Sequence, residues 1–422
     1  MLSKEQIIEV ELLPLDIQNG ATYIIKQMNP NTYTHGMFKY PCKFIPDIPR
    51  WGINAFLPEK RGIVFDPFSG SGTTLLEANL NGLDAYGTEI DDVAKLIIKV
   101  KTTVFNYLQI ETLDQQFLEI INAIEHDDTE SFRPEITNLE HWFSEKTIKD
   151  LGKIKKVIDS IADADIKDFF RLCLASIIKR VSNADDMSPK PYVSNKIIKK
   201  PPTVKDELSS VYRRYKQMMV ELLSVKKMGN TNIIQGDALD FQVPVGIDLA
   251  ITSPPYINAF DYGRTMRLEN LWLETLTEEE LREKKSKYVG TEKINLNKEK
   301  KELDILRKSS LLNKYYDQII KKDEKRALIV KKFFENMEEN LRLVYRQMNV
   351  GAKYIIVIGN STIRQIDIES WKVMAEIANG IGFKIIKYFS YIIQNPYIRI
   401  PRNGKGGKIN KDYVMVLEKG VC

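Results

Sequence analysis

The stretch VFDPFSGSGTTLLEA, residues 64–78, sets a short apolar run against a loop with two glycines and then against a helix-forming segment. A strand that turns at once into a helix through glycines lets a ligand approach bare backbone, while the helix N-terminus offers unpaired N–H groups. Gly70 and Gly72 stand where that approach is needed. Three ligands use such a turn: the phosphates of a P-loop, a dinucleotide, or S-adenosylmethionine. A P-loop requires Gly-Lys-Ser/Thr at the helix start, and Gly72 is followed by Thr73 and Thr74 with no lysine, which disfavours nucleotide hydrolysis. Glu89 lies about twenty residues on, at the end of the next apolar segment, where a carboxylate accepts hydrogen bonds from both hydroxyls of a ribose. Dinucleotide and adenosylmethionine sites share that device, so this loop alone leaves the choice between them open.

Working outward, residues 61–104 read as a βαβ-like unit: RGIVFD a buried strand, SGTTLLEANLNG a helix, LDAYGTEID a second strand with another helix after it. From 105 to 230 the apolar residues fall at helical spacing over a length no ordinary connection needs, which predicts an inserted helical domain. Within it, SNADDMSPKPYVSNKIIKKPPTVKD reads as an exposed loop. Strand patterns resume in NTNIIQGDALDF and GIDLAITSPPY, and residues 274–326 interrupt them with a charged stretch, read as solvated helix or loop. After it come a helix with Phe334, Met337, Leu341, Val344 and Met348 on one stripe, the strand AKYIIVIGN, the helix WKVMAEIANGIG, and two more strand-like runs, FKIIKYFSYII and DYVMVLEK.

The chain has 422 residues, 43% of them hydrophobic and 28% charged, which is ordinary globular composition for two or three structural units. It holds no apolar run of the roughly 18 residues a membrane helix requires. The N-terminal MLSKEQIIEVELLPLD carries acids within its apolar pattern instead of a basic-then-apolar leader, so a cytoplasmic location is expected. Cys42, Cys173 and Cys422 are too scattered for a disulfide framework, and with His35, His126 and His141 equally dispersed no metal site is expected. His35 is read as packing. A net charge of +5 leans towards nucleic acid without deciding for it.

DLAITSPPY is a buried strand ending in Ser253-Pro254-Pro255-Tyr256, at the edge where open α/β sheets place ligands. Two prolines stiffen this loop and hold Ser253 and the Pro254 carbonyl as acceptors, with the aromatic ring of Tyr256 beside them. Rigid acceptors next to a stacking surface suit a flipped-out nucleobase whose exocyclic amine must be gripped.

Together DPFSGSGTT and TSPPY resemble the exocyclic-amine DNA methyltransferases of bacterial restriction-modification systems, and the serine in first position is most similar to their cytosine-N4 branch. YPCKFIPDIP, residues 40–49, resembles the lid segment of such enzymes, and IIQGDALDF the segment whose aspartate faces the cofactor adenine. The resemblance covers residues 33–104, 231–273 and 327–420. It implies an α/β Rossmann-like fold, mostly parallel with a terminal antiparallel hairpin, in which 1–104, 231–273 and 327–422 form the catalytic domain. The stretch 105–230 becomes the candidate target-recognition insert, and 274–326 a second, charged insert. It implies S-adenosylmethionine as cofactor and S-adenosylhomocysteine as product, bound by Lys43, Phe44, Asp66, Phe68, Gly70, Gly72, Thr73, Glu89, Ile90, Asp237 and Ala238. Ser253, Pro254, Pro255 and Tyr256 become the catalytic loop, and Cys42, within the lid segment, becomes structural rather than a carbon-5 nucleophile.

The implied partners are double-stranded DNA and a cognate restriction endonuclease, with no membrane; the oligomeric state is left open. Base extrusion costs a few kcal/mol, which phosphate contacts must offset. Lys190, Lys196, Lys199 and Lys200 in the first insert, Lys284, Lys285 and Lys287 in the second, Arg264 and Arg267 beyond the proline loop, and Arg399, Arg402, Lys405 and Lys408 around glycines are the candidate DNA contacts. Adenine N6 is the alternative target, although aspartate or asparagine is the commoner first residue of the proline loop there. An RNA amino-methyltransferase is a further alternative, disfavoured because only about forty residues precede the lid segment. A catalytically silent binding subunit is disfavoured by the intact Ser253, Tyr256, Gly70 and Glu89.

Overall fold

Val64, Phe65 and Asp66 are all buried, as a strand covered on both faces must be. They belong to β3 of a computed structural model that describes residues 6–26, 30–41, 43–126, 130–196, 198–257, 262–394 and 410–420. The strands are β1 (Ile7–Val10), β2 (Thr22–Ile25), β3 (Ile63–Asp66), β4 (Asp84–Gly87), β5 (Thr231–Ile233), β6 (Ile247–Thr252), β7 (Met348–Gly359), β8 (Ser361–Ile363), β9 (Ile366–Ile368), β10 (Phe383–Ile392) and β11 (Lys411–Lys419). Nine of them form one sheet in the order β1-β2-β10-β11-β7-β6-β3-β4-β5, while β8 and β9 make a separate hairpin. Pairing is parallel throughout the large sheet except at β11, which runs antiparallel to both β10 and β7. This is the mostly parallel Rossmann-like sheet with a terminal antiparallel hairpin that the motifs imply. β1 and β2, which extend the sheet beyond β10, have no counterpart in the sequence expectations.

Helices Tyr107–Glu125, Leu139–Trp142, Glu145–Ser160, Ala164–Val181 and Val204–Leu222 occupy the stretch expected to be helical. Several start where a side chain takes up orphan N–H groups: Asn106 and Gln109 form a capping box, and Ser144, Asp163 and Thr203 accept from the first turn. These helices have no core to themselves. Their apolar faces share one cluster with Val93, Leu96 and Ile97 of helix Asp92–Thr102 and with Leu268, Leu271 and Trp272 of helix Arg267–Trp272. The helical layer is therefore continuous with the elements that carry the glycine and proline loops.

The charged stretch 274–326 is more ordered than a solvated excursion. Ile305, Leu312, Tyr315, Tyr316 and Ile319 are buried in the cluster that includes Phe334, Met337, Leu341 and Val344, the expected stripe on the long helix Glu324–Gln347, and Met348, which the sequence pattern places on that stripe but which begins β7. Lys331 of that helix is fully buried, and its ammonium lies 2.6 Å from Glu299 Oε2 and 2.7 Å from Glu335 Oε1 while donating to the Glu302 carbonyl at 2.6 Å. It ties the second insert to the sheet-covering helix. Removing one partner of a buried ion pair leaves uncompensated charge. Lys331→Ala is expected to lower unfolding stability by about 3 kcal/mol, read from urea denaturation; an unchanged midpoint would show that the cluster does not anchor the insert.

Candidate active site

The chemistry of the site starts from two adjacent parallel strands, β3 and β6, paired Val64 to Leu249 and Phe65 to Ala250. Their C-terminal ends are joined by side chains: Thr252 Oγ1 donates to Asp66 Oδ1 at 2.6 Å, and Thr74 Oγ1 reaches the Ile251 carbonyl at 3.3 Å. The Phe68 N–H also donates to Asp66 Oδ1, at 3.0 Å. The loops that follow, Pro67–Gly72 and Ser253–Tyr256, must therefore emerge side by side at the carboxyl edge of the sheet, where such folds bind ligands.

Gly70 and Gly72 have φ of +50° and +74°, a backbone region that side chains with a Cβ adopt at a cost. A Cβ on Gly70 would lie 3.3 Å from the Tyr40 ring, and one on Gly72 3.0 Å from Ile98. Behind the loop, the fully buried Lys101 donates to the Ser71 carbonyl at 2.7 Å. Burial holds its ammonium well below the usual lysine range. The residues flanking the lid segment on both sides are fastened to the helix Thr73–Leu80 through Glu77, which is bonded to His35 Nε2 at 2.9 Å and Arg50 Nη2 at 2.6 Å. Burial pushes His35 down to about 4, so the neutral ring serves the carboxylate as an N–H donor. His35 packs behind the cleft, as expected of it; Cys42 lies outside the described residues.

The cleft between these loops is open to solvent on one side and, open space included, measures about 770 Å³. Lys43, Phe44, Phe68, Gly70, Thr73, Glu89, Ile90, Asp237 and Ala238 line it, together with Ser253 and Pro255. Asp66 and Gly72 do not line it; they shape the loop from behind. Tyr40, Ser69 and Ser71 line the cleft without having been singled out, although all three lie in quoted motifs, and so do Lys287, Tyr288 and Val289 of the second insert. Glu89 accepts from Gly70 N at 2.7 Å and from Asp91 N at 2.8 Å. Burial, aided by the neighbouring Asp91 charge, pushes its carboxyl up to about 8 against the backbone donors. Burial likewise raises Asp66 to about 6, and its Oδ2 is buried without a partner.

Tyr256 does not line the cleft. Its hydroxyl donates to Asp412 Oδ1 at 2.6 Å, and Tyr391 donates to the other oxygen at 2.9 Å. Asp412 of β11, with 5% of its surface exposed, thus fixes the end of the proline loop, a role no motif announced. Burial raises its carboxyl, opposed by the two tyrosine hydroxyls.

Among the candidate DNA contacts, Lys190, Lys196, Lys200 and Arg264 are exposed, and Lys285 is half-buried. Lys199 departs from the expectation: its ammonium donates to the carbonyls of Lys179 and Ala184, both at 3.0 Å, and to Asp186 at 2.8 Å, pinning its own loop. Arg267 is also committed, to Glu278 and over the Trp142 ring at 5.7 Å. Lys284 pairs with Asp92 at 2.7 Å. Arg399, Arg402, Lys405 and Lys408 lie outside the described residues. Among the described residues, no helix is long and apolar enough to cross a membrane.

A glycine loop, a ribose-type acid and a proline loop on one sheet edge define a methyltransferase-type α/β protein. The family model for N6/N4 methyltransferases, described as DNA methylase, matches residues 5–100. The chain is 27% identical over 417 residues to the type II methyltransferase M.MvaI of Kocuria varians, spanning 92% of this chain and 90% of that one. It is 27% identical over 421 residues to M.BsoBI of Geobacillus stearothermophilus, spanning 86% and 81%. With M.AvaI of Anabaena variabilis it shares 22% over 397 residues, again 86% and 81%. The chain thus resembles the type II DNA methyltransferases over most of its length, and its first hundred residues match the model of the exocyclic-amine, N6/N4 class. That class implies S-adenosylmethionine as cofactor and double-stranded DNA as substrate.

The residues present fit such a cofactor: the buried acid Glu89 on the cleft wall, where a ribose would sit, and bare backbone at Gly70 beside it. Two ribose hydroxyls donating to Glu89 would need its ionised form, because the acid form turns one oxygen into a donor, so such binding below about pH 8 would expel the proton. Affinity for S-adenosylhomocysteine is therefore expected to rise with pH, by up to about tenfold per pH unit, and to level off above about 8. Calorimetry in buffers of different ionisation heat should show up to one proton released, and Glu89→Gln should abolish the release; binding without proton exchange in the unsubstituted protein would contradict this assignment.

Proposed function

We propose that the protein transfers a methyl group from S-adenosylmethionine to the exocyclic N4 amine of a cytosine turned out of duplex DNA, within a restriction-modification or related defence system that includes a cognate endonuclease. The observation that carries this reading is Ser253: it stands first in the proline loop and lines the same cleft as the glycine loop. Aspartate or asparagine in that place would favour adenine.

The cofactor supplies an electrophilic methyl group on a positively charged sulfur. The amine of cytosine is a poor nucleophile because its lone pair is delocalised into the ring. Ser253 Oγ and the Pro254 carbonyl, held by the rigid Pro254-Pro255 corner, accept its two hydrogens and favour the pyramidal nitrogen that attacks in line. The proton shed afterwards passes from these acceptors to water. Tyr256, with its hydroxyl fixed by Asp412, holds the base by stacking. Rate enhancement comes chiefly from positioning two bound reactants and from acceptors already in place. Exposed Lys190, Lys196, Lys200 and Arg264 act on phosphates, and binding then weakens with salt.

Incubation of DNA with labelled cofactor, nuclease digestion and mass spectrometry of the nucleosides tests the reading. N4-methyl-2′-deoxycytidine is expected; N6-methyl-2′-deoxyadenosine would transfer the assignment to the adenine branch, and label confined to RNA would overturn both. Ser253→Ala should lower kcat about a hundredfold or more with little change in cofactor affinity. Lost cofactor binding in that variant would mean that the loop serves the cofactor instead.

A further inference from the structure

We propose that Lys287, Tyr288 and Val289 of the second insert form a wall of the methyl-donor pocket and link its occupancy to the proline loop, so that this insert serves the cofactor rather than the DNA. The inference rests on reading the cleft as the S-adenosylmethionine site. All three residues line that cleft with Glu89 and Asp237. The Tyr288 hydroxyl donates to Asp91 Oδ2 at 3.2 Å, and the Asp91 N–H donates in turn to Glu89 Oε1 at 2.8 Å, so one residue separates Tyr288 from the ribose acid. Burial and the charges of Asp91 and Glu89 raise the tyrosine hydroxyl above its ordinary range, which keeps it a donor.

The Tyr288 ring also lies against the helix Tyr262–Thr265, which follows the proline loop: a Cβ on Gly263 would sit 3.3 Å from its Cε2. Val289 is buried in the same apolar cluster as Ile257, the residue after Tyr256. The start of the insert is held by Lys284 on Asp92, at 2.7 Å. The segment thus packs on both halves of the site, and its lysine at position 284 is spent on a carboxylate instead of facing phosphate. A ligand that orders the segment stabilises the proline loop through the same contacts, and the coupling is reciprocal.

Amide hydrogen exchange of the full chain with and without S-adenosylhomocysteine tests this, paired with titration of the same compound into Tyr288→Phe, Tyr288→Ala and, as an exposed control in the same insert, Lys301→Ala. The ligand should protect amides 287–289 as well as 69–72. Tyr288→Phe should weaken binding about threefold and Tyr288→Ala about tenfold or more, with Lys301→Ala unchanged and DNA affinity in the absence of cofactor unaltered in all three. Protection of 69–72 without any at 287–289 would overturn the proposal, and that readout needs no variant to fold. So would normal ligand affinity with lost DNA affinity in Tyr288→Ala. Failure of the unsubstituted protein to bind S-adenosylhomocysteine would instead remove the cofactor reading, and this inference with it.

Discussion

The bond from Thr252 to Asp66, 2.6 Å long and fully buried, is the constraint on which the site depends. It joins the last residues of two neighbouring parallel strands, and each strand ends in a loop that cannot relax: one turns through left-handed glycines, the other through two prolines. On the proposed reading, a donor molecule at the first loop and a base at the second would thereby meet along one short edge. Asp66 also receives the Phe68 N–H, so the same carboxyl shapes the glycine loop and fixes its neighbour. Its remaining oxygen is buried without a partner, an arrangement that costs stability.

The electrostatics of the cleft follow from the same economy. Glu89 and Asp66 are both pushed upward by burial, to about 8 and about 6, because the backbone donors around them do not fully replace water. Glu77, by contrast, is held below its usual range because His35 and Arg50 outweigh its burial. Glu89 is thus an undercompensated acid on the wall that a hydroxyl-bearing ligand would meet. The cleft is prepared for its occupant more than for its own stability.

Much of the catalytic sheet was legible because its signals are local. A short apolar strand, two glycines and a helix within residues 64–78 need no distant partner to be read, and the proline loop is equally self-contained. NTNIIQGDALDF reads as a short strand running into a polar loop, and Thr231–Ile233 is that strand, after which Gly236 takes a φ of +111° and the chain turns between Asp237 and Asp240. What stayed hidden rests on contacts made at a distance. Asp412 meets Tyr256 across 156 positions, and Tyr288 meets Asp91 across 197. Lys199 departs from its expected role for a related reason. Lys199 looks like its exposed neighbours Lys196 and Lys200 until its three internal acceptors are seen. A charge run in sequence says nothing about which members are already paired.

The helical layer and the second insert show the same integration on a larger scale, sharing apolar cores with the strands and helices that carry the loops rather than standing apart. The site is consequently held from three sides: by the sheet, by the lid segment, stapled at its flanks through Glu77, and by the insert anchored at Lys331. The most direct measurement of this account is a crystal structure of the protein with S-adenosylhomocysteine. The account predicts the ribose on Glu89, the glycine bend against the ligand, and the sulfur facing Ser253; a ligand bound elsewhere, or with its sulfur turned away from the proline loop, would contradict it.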